Sequence, residues 1–344
     1  MANNSVMVTA IGGIGREVIK SIRINFPNIH IIGVDANVRL TNNEFVDEHV
    51  CVPYSNSELY DDCIMNVIEQ KNVKLIFPCS FGEMRFFLSR YDELKDKGVV
   101  VVADSMSLFE LCNDKYELFE FLLRKGVRLP QYLLGSKKES FKSIDYYPVV
   151  IKPRCDSYAS NNVMVALNYR ELLQITSLFD IRGIEYIIQE WKGDSTEEYT
   201  VSVTCDPSGN VLGAVAMQRL FESGYMIKSQ IKIDEKHYLV SSGISSGRII
   251  NNRYLLNQAI EIAVTLGCKG PINLQGIWDN NVFWLIDAHS AITASVYSKA
   301  LAGYNDPEYY IKQYLLHIPY VFDPKEIVIQ KSISTKIVNE NKYN

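Results

Sequence analysis

The sequence predicts an α/β domain followed by an α+β half, and two observations carry that reading. Over residues 1–104, short apolar runs alternate with helix-periodic segments, the pattern of an open parallel sheet with crossover helices. Beyond residue 147, apolar and polar residues alternate within runs joined by short turns, the pattern of antiparallel hairpins. With 344 residues, 47% hydrophobic and 22% charged, the chain can bury a full core. A formal net charge of −5 leaves no electrostatic footprint for nucleic acid. No apolar run approaches the roughly 20 residues of a membrane helix. The N-terminus, MANNSVMVTA, enters a strand without the basic and long apolar regions of a signal peptide. These features predict a cytoplasmic protein with no nucleic-acid or membrane partner. The 7 cysteines show no CxxC pair, so buried reduced thiols are expected rather than disulfides or a zinc site.

Taken in order, residues 6–10 form a strand that runs into Gly12-Gly13-Ile14-Gly15-Arg16, and a helix follows over 17–24. A second strand over 29–34 ends at Asp35, which completes a βαβ opening. The glycine fingerprint is incomplete, because Val18 stands where its last glycine belongs. Two readings follow: a phosphate cradle at a helix N-terminus, or a tight strand-to-helix turn. The alternation continues with strands at 50–52, 74–78 and 99–103 and helices at 59–70 and 81–91. The loop CSFGE lies at a strand's carboxyl end, where such sheets bind ligands. Its Glu83 reads either as a ligand contact or as a first-turn helix acid. Ser105 or Ser107 and Asp114 cap helices reaching 112 and spanning 115–125.

The second half is richer in strands, at 147–153, 163–166, 186–190, 199–206 and 211–218. Edge strands at 227–233 and 238–240 follow, with helices at 169–179 and 254–266. Residues 300–316 read as helix broken near Pro307, and the polar end VNENKYN reads as a frayed tail. Strands at 272–278 and 282–286 fold about Asp279-Asn280-Asn281. Asp287 and His289 then share a face, and Gln275 lies about a residue from Asp287 on the neighbouring strand. Carboxylate, imidazole and amide oxygen converge there, either as a divalent-metal site or as a solvated strand end.

The order of motifs says more than any one of them. DK stands at 114–115, VVIKPR at 149–154, IIQEWKG at 187–193, EEYTVSV at 197–203 and the NLQG…FWLIDAH hairpin at 273–289. This succession resembles the ATP-grasp superfamily, in particular its carbamoyl-phosphate-synthase-like branch, over residues 5–320. The resemblance implies a pre-ATP-grasp Rossmann-like domain at 1–104 and an ATP-grasp domain at 105–320 with a lid at about 120–190. Residues 321–344 would be a C-terminal extension. It also implies ATP and Mg²⁺ as cofactors, with Lys115 and Lys152 against the phosphates and Lys152 and Arg219 as catalytic cations. Glu190 would begin the hinge, with backbone groups of Trp191 and Lys192 on the adenine edge and Glu198 on the ribose hydroxyls. Gln275, Asp287 and His289 would hold the metal, and a histidine there also suits Mn²⁺.

The family's Glu-x-Asn-Pro-Arg run reads Asp287-Ala-His289-Ser-Ala291 here, which removes an arginine directed at the transferring phosphate. Its glycine-rich phosphate loop reads CDSYASNN at 155–162, with no glycine. The implied activity is ATP-dependent activation of a small-molecule carboxylate as an acyl phosphate, attacked by an amine or similar nucleophile. A homodimer is compatible with it. The alternative within the same fold is a non-catalytic nucleotide-binding protein. Two readings from other classes remain: a serine hydrolase through the GxSxG at 243–247, and a nicotinamide enzyme through the Gly12–Arg16 turn and Asp35.

Overall fold

The computed structural model describes residues 5–37, 45–155, 160–222, 224–233 and 235–332. The N-terminal part is a parallel sheet of β1 (Ser5–Thr9), β2 (Ile31–Asp35), β3 (Glu48–Cys51), β4 (Val73–Phe77) and β5 (Val100–Val101), in the order β3-β2-β1-β4-β5. Helices α1 (Ile14–Asn25), α2 (Tyr60–Gln70), α3 (Phe81–Ser89) and α4 (Tyr91–Asp96) accompany it. The single helix expected at 81–91 is two, because Arg90 leaves helical geometry at φ −106°, ψ 12°. Both sheet faces are covered: Val6 and Val8 pack with α1, and Met7, Ile32 and Ile76 pack with α2. That double burial explains why these strands read as unbroken apolar runs. Strand order reverses between β1 and β4, so their carboxyl ends border a crevice.

Next come α5 (Met106–Asn113) and α6 (Lys115–Arg124), capped by Ser105 and Asp114 as the sequence predicts. A four-stranded antiparallel sheet follows, built from β6 (Tyr132–Leu134), β7 (Val149–Pro153), β8 (Met164–Ala166) and β9 (Tyr186–Glu190), in the order β6-β9-β7-β8. Helix α7 (Tyr169–Ile181) covers it. At three residues β6 is too short to give a periodic signal. Leu118, Phe119 and Leu122 of α6 join the core of the third region, together with Ile187 of β9 and Tyr132 and Leu134 of β6.

That third region holds β10 (Glu198–Cys205), β11 (Val211–Leu220), β12 (Ile227–Ile233), β13 (Lys236–Ser241) and β14 (Ser246–Ile250). It continues through α8 (Arg253–Thr265), β15 (Pro271–Asp279), β16 (Val282–His289), α9 (Val296–Leu301), α10 (Asp306–Tyr310) and β17 (Val328–Ile329). Six strands make one sheet, in the order β16-β15-β10-β11-β14-β17. The sequence places β12 and β13 at a sheet edge; among the described residues they pair with each other in a separate ribbon. The helical break expected at Pro307 falls earlier, at 302–305, and Pro307 sits in the first turn of α10, where its missing N–H costs nothing.

The large sheet has two unlike faces. Tyr199, Val201, Val203 and Cys205 of β10 join the core under α8 with Ile272 and Leu274 of β15. Glu198, Thr200, Ser202 and Thr204 alternate with them and point to the opposite side. Residues 156–159 of the expected phosphate loop and the tail from 333 lie outside the described residues.

Candidate active site

A cleft of about 1270 Å³ opens where three surfaces meet. They are the carboxyl edge of the parallel sheet, the smaller antiparallel sheet and the polar face of the large sheet. The hairpin β15–β16 forms its floor. Asn280 and Asn281 turn at φ 49° and 61°, and Asp279 pairs with Val282. Gln275 then lies directly across from Asp287, and Asn273 across from His289.

Two buried lysines close on this floor. Lys115, at the start of α6 and 3% exposed, places Nζ 3.7 Å from the Asp287 carboxylate. Lys152, on β7 and 6% exposed, donates to the Ile286 carbonyl and lies 5.5 Å over the Phe119 ring. Burial pushes the Lys152 ammonium down to about 7, Asp287 opposes that shift, and Lys115 adds to it. Burial also works to raise the Asp287 carboxyl, but Lys115, His289 and Lys152 outweigh it and hold the group below the usual carboxylate range. His289 sets Nε2 3.6 Å from Asp287. Burial lowers its imidazole, Asp287 opposing and the two lysines assisting. An ionised carboxylate beside a largely neutral imidazole is the outcome.

The other expected residues line the same cleft. Glu190 closes β9, accepting from the Gln131 amide at 3.1 Å and from the Lys192 ammonium. Lys192 also lies 4.6 Å over the Trp284 ring. The Trp191 amide donates to Pro148 at 3.2 Å, and its indole packs edge-on against Tyr238. Glu198 and Arg219, each 6% exposed, form a buried ion pair, and Arg219 also donates Nε to the Ser245 hydroxyl at 3.2 Å. The structure thus gathers all ten expected site residues on one cleft. It gives the Glu198 carboxylate a cationic partner that the sequence did not suggest. Among the described residues, no three of His, Cys, Asp and Glu cluster as a metal site; Asp287 and His289 stand together, with Gln275 opposite Asp287 on the neighbouring strand.

Two competing readings fail on geometry. Ser245 is buried against Arg219, the chain after it is strand β14 and not a helix, and His289 faces Asp287. A nucleophile elbow needs a strand-turn-helix and a serine within reach of its histidine. In the N-terminal turn, Asp35 accepts from the Gly12 and Asn37 amides, so its carboxylate closes the turn itself. Gly15 is needed there because a Cβ would stand 2.1 Å from the Thr9 carbonyl oxygen. Glu83 is likewise absorbed by the fold, accepting from Thr9 at 2.7 Å and from Ser80 at 2.6 Å; burial raises its carboxyl.

Sequence reasoning missed a buried cluster beneath the polar face. Lys299, fully buried on α9, donates to Ser202 at 2.7 Å and to Asn273 at 3.0 Å. Beside it, Thr204 joins the Tyr304 hydroxyl at 2.7 Å and donates to Asp306. Burial lowers Lys299 and raises Asp306, each opposed by the charge of the other. A lysine in SKAL carries no motif that could have marked it.

No protein-family model matches the chain. A curated relative, the carbamoyl phosphate synthase large chain of Thermoplasma volcanium, is 21% identical over 243 residues. That match covers 68% of this chain, which spans only 22% of the relative's length. Among solved structures, the ADP complex of purK, N5-carboxyaminoimidazole ribonucleotide synthetase, matches at TM-score 0.65 and 13% identity, over 94% of this chain and 79% of that one. The L-amino acid ligase of Bacillus licheniformis matches at TM-score 0.64 and 11% identity, over 92% and 75%. Biotin carboxylase of Campylobacter jejuni, as its β,γ-ATP complex, matches at TM-score 0.63 and 17% identity, over 89% and 70%. The chain has the ATP-grasp fold, and its sequence likeness lies on the carbamoyl-phosphate-synthase side of that fold.

Proposed function

We propose that the cleft binds ATP with a divalent cation and activates a small-molecule carboxylate as an acyl phosphate. The observation that carries the reading is the convergence of Lys115 and Lys152 on the Asp287–His289 strand end. Two buried lysines next to one carboxylate form a site prepared for phosphate charge, which would favour their protonated forms, and each can exchange its present partner for a phosphate oxygen. The carboxylate oxygen of the acceptor would attack the γ-phosphorus and ADP would leave. An amine or similar nucleophile would then attack the acyl carbon, expelling phosphate and leaving an amide-type bond. Positioning and charge neutralisation would supply the catalysis.

The ionised Asp287, the largely neutral His289 and the Gln275 amide oxygen fit a divalent cation, with phosphate oxygens completing the shell. Mg²⁺ or Mn²⁺ bound there would neutralise charge on the β- and γ-phosphates. Lys152 would hold the triphosphate from the smaller sheet, with the hinge at Glu190–Lys192 taking the adenine. Arg219 would face the acceptor while Glu198, which shares its charge, would border the ribose.

Calorimetric titration of Mg-ATP into wild type and Asp287→Ala tests the core claim. A loss of about 10–100-fold in affinity is expected, and equal affinity in the two proteins would sink the metal role. Ala291, in place of an arginine, favours a second reading as a non-catalytic nucleotide-binding protein. ADP release with a panel of carboxylates and amines separates the two.

A further inference from the structure

The wall of the cleft beside His289 is apolar. The Phe81 ring, at the start of α3, stands edge-on to the imidazole with centroids 6.2 Å apart. Phe109 lies behind it at 5.3 Å, and Met84 and Phe109, 2% and 3% exposed, form a small core on which Phe81 and Ala291 pack. Phe81 and Ala291 keep part of their surface open, and all four residues line the cleft. The Ala291 methyl thus completes an aromatic wall.

The cations that reach this end from the floor are already engaged. Lys115 lies on Asp287, Lys152 on the Ile286 carbonyl, and Arg219 on Glu198 and Ser245. A charged group laid on Phe81 and Ala291 would shed its water against hydrocarbon, whereas an apolar group would gain by burial there. One polar atom sits at the edge of the wall. The Ser290 hydroxyl, in a residue 3% exposed between His289 and Ala291, is buried without a hydrogen-bond partner and borders the cleft. It can donate to a single acceptor oxygen.

We infer that the acceptor is a small carboxylate bearing an apolar side group, aromatic or large aliphatic. Its hydrocarbon lies on Phe81 and Ala291, and one oxygen lies at Ser290. This rests on the reading of the cleft as an ATP-dependent carboxylate site and adds the class of its acceptor. The specificity residues are Phe81 and Ala291; neither takes part in the proposed chemistry.

The test titrates phenylacetate, acetate and succinate into the whole protein by calorimetry, first nucleotide-free and then saturated with Mg²⁺ and a non-hydrolysable ATP analogue. Phenylacetate is expected to bind about tenfold or more tightly than the other two. Phe81→Ala should lose that margin while keeping the affinity for the nucleotide analogue. Ala291→Arg, which adds a cation without removing core packing, should turn the preference toward succinate. Succinate binding as well as phenylacetate, or Phe81→Ala weakening all three probes equally, overturns the inference. So does the absence of carboxylate binding in both states. Failure of the analogue to bind refutes the nucleotide reading by itself, and the carboxylate preference is still read in the nucleotide-free titration.

Discussion

The parallel sheet and the large antiparallel sheet meet the same cleft in different ways. In the parallel sheet, helices cover both faces, Val6, Met7 and Val8 are completely buried, and the cleft is reached from its carboxyl edge, by the loops after β1 and β4 and the first turns of α1 and α3 that follow them. Asp35, at the end of β2, and Glu83, in the first turn of α3, are held by the chain's own amides and hydroxyls. The large sheet has one greasy face under α8 and one polar face, and the polar face carries Gln275, Asp287 and His289 to the cleft. A sheet buried on both faces confines its chemistry to its ends; a sheet with one polar face can present a whole row of functional side chains.

Four outcomes would sharpen or break this contrast. Leu274→Ala, on the greasy face at 0% exposure, should lower unfolding free energy by about 2–5 kcal/mol in urea titration. Thr204→Val, on the polar face, should cost only about 1–2 kcal/mol, because it leaves Asp306 and Tyr304 each short of one partner. Equal losses from the two substitutions would mean that the faces do not differ as described.

The third outcome concerns pH. Lys299 is depressed from a lysine's ordinary 10.5, so as pH falls below that value the unfolded chain takes up a proton that the native chain resists. Stability should therefore decline from alkaline pH toward neutrality, by no more than about 1.4 kcal/mol per pH unit. Asp306 is raised from 3.8, so the native carboxyl keeps a proton that the unfolded one releases, and stability should also fall as pH rises through the acidic range. Lys299→Met should flatten the alkaline limb in urea midpoints measured across pH. An unchanged limb would show that this lysine is not the source.

The smallest effect is expected at the N-terminal turn. Asp35→Ala removes the acceptor for the Gly12 amide and should cost about 1 kcal/mol. Mg-ATP affinity should stay unchanged, since the acid serves the turn. A large loss of nucleotide affinity would reassign the crevice.

Much of the fold was legible from pattern alone. The strand Tyr186–Glu190, the caps at Ser105 and Asp114, and the hairpin about Asn280–Asn281 follow from local chemistry. The misses share a cause. β6 and β17 are too short to show a period, and β14 follows a serine-glycine run that resembles a turn into a helix. β12 and β13 carry strand patterning, but which partner a strand takes depends on surfaces distant in sequence.

The site divides in the same way. Sequence by itself determined the residue types and their order: two lysines, a glutamate closing a strand, and a strand end with Asp287 and His289 on one face, because period and motif spacing are local properties. Tertiary structure alone decided their partners. It brought Lys115 from the start of α6 to within 3.7 Å of Asp287, set Glu198 against Arg219, and buried Lys299 under Asn273. It also laid Phe81 beside His289, more than 200 residues away in the chain. Charge pairing and desolvation act through space, so the electrostatics of the cleft exist only once the three sheets have closed around it.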